Sequence, residues 1–188
     1  KGPVQLVKCS EEEKDACGLL QLKQTYSLEE MYGDNYGYRS GLNQAMVQHL
    51  HRSVDQVMRL MKLQEEDFII DIGSNDSTLL QRYPSSFKNL LGVDPTGKKF
   101  KSFYPPHIEL IPDFFSSEKV KKIKPGLKAK VMTSFSMFYD LEDPLAFAKE
   151  VADLLDSHGV WVFEQSYMPL MLERNSYDTI CQKHLEHY

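Results

Sequence analysis

The chain has 188 residues, 41% hydrophobic and 26% charged, with 22 Lys and Arg against 27 Asp and Glu for a formal net charge of -5. That balance belongs to a folded chain with room for one ordinary domain, and its acidic sign gives no electrostatic reason to expect a nucleic-acid partner. No apolar run approaches the ~20 residues that span a bilayer, and the opening "KGPVQLVKCS" lacks the apolar core and cleavage site of a signal peptide, so the sequence points to a cytoplasmic protein with no membrane partner.

Residues 1–41 read as an irregular N-terminal segment: a strand-like "PVQLV", a loop with Cys9 and Cys17, then "CGLLQL" and the tyrosine-rich "YGDNYGYRSG". Cys9 and Cys17 offer two of the four ligands that a zinc site needs, so no metal is expected. The second unit, 42–188, opens with a helix from Leu42, capped by Ser40, whose apolar stripe is Leu42, Met46, Leu50, Val54, Val57, Met58 and Met61. His49 and His51 read as helix-surface residues. The lysine cluster from Lys119 to Lys130 has no interleaved aromatics and reads as a solvated face.

Beyond Met61, short apolar runs alternate with helical ones. "FIIDI" (68 to 72), "LLGVD" (90 to 94), "IELI" (108 to 111), "KVMTSF" (130 to 135) and "GVWVFEQ" (159 to 165) predict strands. "STLLQRYPSSF", "SSEKVKKIK" and "DPLAFAKEVADLLDSHG" predict the helices between them, the last with Leu145, Ala148, Val151, Ala152 and Leu155 on one face and Gly159 closing it. Such alternation gives an α/β fold, an open doubly wound parallel sheet whose ligands sit outside the carboxyl ends of the strands where the order reverses.

The strand ends carry the candidate chemistry. Asp71 precedes the turn "GSND", where Gly73 lets the backbone bend toward a ligand. The dinucleotide pattern would place glycines where Asn75 and Thr78 stand, and no Gly-Lys-Ser/Thr of a P-loop follows. An acid before a single-glycine turn suits an amino-acid or nucleoside ligand better than phosphates. Asp94, after the second strand, is placed to accept ribose hydroxyls. Asp113 and Phe114 follow the third and bracket an adenine; Ser134, Ser136 and Tyr139 follow the fourth. Any one of these reads equally well as a turn former, but four successive strand ends point to one crevice.

The order "DIGSND", "GVDP", "PDFF", "FEQSYMPLMLERNSYDTI" and "HLEHY" resembles the S-adenosylmethionine-dependent C-methyltransferases that act on nucleotide-linked deoxysugars. The resemblance covers nearly the whole chain. It implies a Rossmann-like class I methyltransferase sheet, two strands short of the full one, behind a remnant of a zinc-binding segment. It implies S-adenosylmethionine as cofactor, with Asp71, Gly73, Asn75 and Asp76 at its amino-acid portion, Asp94 at the ribose, Asp113 with Phe114 at the adenine, and Ser136 on the same rim. His184 matches the family's base, while Tyr38 and Glu164 are placed toward a small-molecule acceptor such as a nucleotide-linked sugar. The family's Tyr and Glu beside that base are replaced here by Cys181 and Lys183, and a positive charge at Lys183 would weaken a neighbouring imidazole base. The sequence therefore carries two expectations: a methyltransferase, or a catalytically impaired cofactor-binding module of the same fold.

Overall fold

In the computed structural model of the chain, residues 36–176 are described continuously, together with 5–10, 12, 14, 16–24, 27, 29, 32 and the backbone of 186–187. His184, Cys181 and Lys183 lie outside the described residues.

Two short strands, β1 (Leu6–Lys8) and β2 (Leu20–Leu22), pair antiparallel, and β2 also pairs with β8 (Glu186–His187) from the far end of the chain. The larger sheet consists of β3 (Phe68–Ile72), β4 (Asn89–Val93), β5 (Ile108–Ile111), β6 (Ala129–Phe135) and β7 (Leu155–Glu164). All pairings in it are parallel and the order is β5-β4-β3-β6-β7. The chain winds outward from β3 to β5, then crosses back to β6. The order therefore reverses between β3 and β6, and a crevice opens there at the carboxyl ends.

Helices cover both faces, which is why the strands read as continuous apolar runs. On one face α1 (Gln44–Leu60) lays Leu50, Val54 and Val57 against Ile69, Leu90 and Val131. On the other, α3 (Ser117–Ile123) and α4 (Pro144–Leu154) bring Val120, Val151 and Leu154 onto Ile70, Leu91, Val93 and Met132. Fully burying each such side chain contributes about 1.5–3 kcal/mol. The short α2 (Gly97–Phe100) follows β4, and α5 (Met168–Arg174) follows β7. No helix among the described residues is long and apolar enough to cross a membrane.

Four local expectations are corrected. The first helix starts at Gln44: Asn43 is its cap, accepting from the amides of Ala45 and Met46, while Ser40 opens a preceding 3-10 turn and Leu42 is exposed. The 77–87 stretch makes only the 3-10 turn Leu80–Arg82, because Asn75 and Ser77 hold left-handed φ angles of 48° and 63° and Pro84 follows. On α4 the inward residues are Phe147, Val151 and Leu154, and Leu145 faces out. The same helix ends at Leu154 and the chain passes directly into β7, so Gly159 is not its cap. A Cβ on Gly159 would lie 2.6 Å from the Ala129 carbonyl oxygen, so glycine is needed for that close approach.

Candidate functional site

At the reversal point a cavity of about 470 Å³ opens above β3, β4 and β6. That volume lies within the range of small-molecule sites. Its floor comes from the strand ends: Asp71 within β3 and Gly73, Ser74 and Asn75 after it, Asp94 to Thr96 after β4, Phe114 and Phe115 after β5, and Ser136, Met137 and Tyr139 to Leu141 after β6. Met46 and Leu50 of α1 form a side wall. Tyr32, Tyr36, Tyr38 and Ser40 of the N-terminal segment form a roof. Among the described residues that line it there is no lysine or arginine.

Asp71 is buried, and Thr133 Oγ1 donates to its Oδ1 at 2.5 Å. Burial pushes the Asp71 carboxyl up to about 7; the Thr133 hydrogen bond opposes this shift, and the charge of Asp94 adds to it. Asp94 accepts at Oδ1 from the Thr96 amide (2.7 Å) and hydroxyl (2.5 Å), and at Oδ2 from the Asn75 amide (2.8 Å). A carboxylate has about four acceptor positions. One on Oδ2 thus remains for a ligand hydroxyl. Gly73, at φ +75°, turns the backbone so that its amide donates to Val93 O, and the open space above it is bounded by Met137.

Other sequence candidates are placed differently. Asn75 lines the cavity, but its side chain is turned to the roof: Oδ1 accepts from the Ser40 amide (3.0 Å) and Nδ2 donates to Tyr38 O (3.1 Å). Asp76 is buried and does not line the cavity; it accepts from the Gly41 amide and from Thr78, and pairs with Arg39. Asp113 is exposed and turned away by Lys119 at 2.7 Å, which holds its carboxyl below the usual carboxylate range, so only Phe114 of that pair lines the cavity. Ser134 is buried, accepting from Trp161 Nε1. Glu164, at the end of β7, stands beyond the lining on the rim, where its Oε1 accepts from Ser136 Oγ (2.9 Å) and its Oε2 meets His49 Nε2. Tyr38 is on the roof.

Sequence reasoning missed Tyr32, Asp140 and His49. The Tyr32 hydroxyl donates to the buried Asp140 carboxylate, tying the roof to the loop after β6. Burial, then neighbouring carboxylates, push the Tyr32 and Tyr36 phenols far up, so both stay neutral donors. A tyrosine-rich stretch was visible; the partner of each ring was not. Among the described residues no group of three or more His, Cys, Asp and Glu could hold a metal ion, Cys9 and Cys17 included.

A search of solved structures finds the same architecture in a methyltransferase: the plantazolicin methyltransferase BpumL, in complex with a triazolic desmethylPZN analog and SAH, superposes with a TM-score of 0.53 at 13% identity over 72% of this chain and 52% of that one. The chain has a class I methyltransferase fold. The BpumL complex with the pentazolic analog gives a TM-score of 0.50, again at 13% identity, over 72% of this chain and 52% of that one. Along the sequence, this methyltransferase-fold chain is 24% identical over 188 residues to the C-methyltransferase NovU of Streptomyces niveus, covering 99% of this chain. It spans 43% of that relative's length, less than half. No family model matches.

Proposed function

We propose that the protein is an S-adenosylmethionine-dependent methyltransferase acting on a small polar acceptor, with a nucleotide-linked sugar as the acceptor class. The observation that carries this reading is that Asp71 and Asp94, toward the ends of adjacent strands, face one cavity to which the described residues contribute no cationic side chain. Such a wall suits a cationic, hydroxyl-bearing ligand and repels phosphates. In this reading the cofactor's ammonium end lies toward Asp71 and Gly73, its ribose hydroxyl takes the open position on Asp94 Oδ2, and Phe114 lies against its adenine. When bound, the cofactor supplies an electrophilic sulfonium methyl group.

The chain's own residues then orient, shield and move a proton. Phe115, Phe135 and Met137 keep water from the reacting carbon. An imidazole takes the proton that the acceptor gives up: His184 is proposed by the resemblance, and His49, hydrogen-bonded to Glu164 on the rim, is a second base within the described residues. Phosphates of a nucleotide-linked acceptor would remain outside the acidic cavity, with the sugar entering past Tyr38. Support for the acceptor class comes from "SND" and "YDTI" with "HL" in the sequence and from the similarity to a C-methyltransferase over 99% of the chain.

Isothermal titration with S-adenosylmethionine, S-adenosylhomocysteine and NAD tests the cofactor. Micromolar binding of the first two and none of the third is expected. Binding of NAD alone, or of none of the three, would overturn the reading.

A further inference from the structure

We infer that Asn75 is a positioning residue that couples occupancy of the cofactor cavity to the placement of the tyrosine roof; the inference rests on the cofactor reading above. All four of its polar atoms are engaged, two on each side. Toward the floor, its amide donates to Asp94 Oδ2 at 2.8 Å and its carbonyl accepts from the Tyr104 hydroxyl at 2.9 Å. Toward the roof, Oδ1 accepts from the Ser40 amide and Nδ2 donates to Tyr38 O, across 35 and 37 residues of sequence.

The residue also sits at φ +48°, where asparagine is tolerated and a β-branched side chain is not. The same oxygen of Asp94 that holds the Asn75 amide carries the acceptor position left for a ligand hydroxyl. A ligand bound there loads the Asp94 to Asn75 hydrogen bond directly. Any shift passes through one residue to Tyr38 and Ser40, both of which line the cavity. Gly41 is held separately, by its amide to Asp76 Oδ2 at 3.0 Å, so the roof keeps an anchor that does not depend on the Asn75 side chain. With the cofactor bound, Tyr38 is fixed and the acceptor meets a finished wall. By linkage the converse holds, and a fixed roof tightens cofactor binding by the same factor.

The test is amide hydrogen exchange of residues 37 to 41, with and without S-adenosylhomocysteine, in the wild type and in Asn75→Gly. Glycine keeps the positive φ and the backbone amide to Asp94, and deletes only the two side-chain bonds. In the wild type, ligand should slow exchange of the Ser40 amide, which donates to Asn75 Oδ1, by ~10-fold, within the usual range of coupling between sites, with the separately held Gly41 amide as the internal reference. In Asn75→Gly, exchange should be faster and the ligand-dependent slowing should fall below about 2-fold while calorimetry still detects binding. Asn75→Asp, which keeps an acceptor for Ser40 but loses the donor to Tyr38, should fall between the two and serves if the glycine variant does not fold. A purely structural role would speed exchange but leave the ratio with and without ligand unchanged in both variants, and that result overturns the coupling. Absence of ligand binding in the wild type would instead overturn the cofactor reading and the coupling with it.

Discussion

Glu164, the last residue of β7, closes a hydrogen bond with His49 in the second turn of α1, 115 residues upstream. The carboxylate is fixed from its other side by Ser136, itself held at φ +54° on the cavity wall. A carboxylate bonded to one ring nitrogen sets the orientation of an imidazole and stabilises it once protonated. If His49 takes the acceptor's proton, His49→Ala should lower the rate of methyl transfer by about 10²–10⁴-fold with S-adenosylhomocysteine affinity unchanged, as expected for loss of a general base. His184→Ala measured in parallel assigns the role: the base is the residue whose loss lowers the transfer rate.

In the proposed cofactor reading, the Asp71 carboxyl should give cofactor binding a pH dependence. Its value near 7 means that at lower pH it is protonated and offers no charge to an ammonium group. The affinity for S-adenosylhomocysteine should therefore rise by up to about tenfold per unit as pH approaches 7 from below, then level off. Asp71→Asn should flatten the profile. Calorimetry across about pH 5.5 to pH 8.5 reads both.

The same residue predicts how stability without ligand varies. An acid whose pKa is raised from 3.8 to about 7 on folding binds more protons in the folded state than in the unfolded state between those values. Stability from this group is present below the lower value and is lost as pH climbs through the upper one. Denaturation midpoints should fall over that window in the wild type and change less in Asp71→Asn.

Asp94→Asn should weaken S-adenosylhomocysteine binding by roughly 10- to 100-fold, since a hydrogen bond to a charged partner is replaced by a weaker neutral one. It also leaves a single amide oxygen to serve Asn75 and Thr96, which now use both oxygens. Unchanged affinity would remove Asp94 from the ribose site.

Ile70 lies in the middle of β3 with no exposure, packed among Leu91, Val93 and Met132. Ile70→Ala should destabilise the fold by about 2–5 kcal/mol in chemical denaturation, from lost transfer energy plus the cavity left behind.

The sheet was legible because its strands are buried on both faces and read as apolar runs; "FIIDI" matches β3 residue for residue. The floor acids were legible for the same reason, since a strand end fixes where the next side chain stands. What could not be read were relations set by distant partners. Asn75 and Asp76 look like cofactor ligands in "GSND", yet their side chains engage backbone atoms of Tyr38, Ser40 and Gly41, which no local pattern announces. The helix anticipated over 77–87 fits the apolar spacing, and Leu79, Leu80, Tyr83 and Phe87 are indeed buried, but the left-handed residues leading into it break the winding. Gly159 reads as a helix cap because glycine usually is one there; the constraint on it is the approach of Ala129, a tertiary fact.

The pairing of β2 with β8 has a consequence for synthesis. β1 and β2 can pair as soon as both are made, since few residues separate them. Their third strand is made only after the whole five-stranded sheet, so β2 keeps an open edge while the rest of the chain is translated. Until that strand is made, the edge of β2 carries unpaired backbone donors and acceptors, the kind of edge that pairs with other chains when left open.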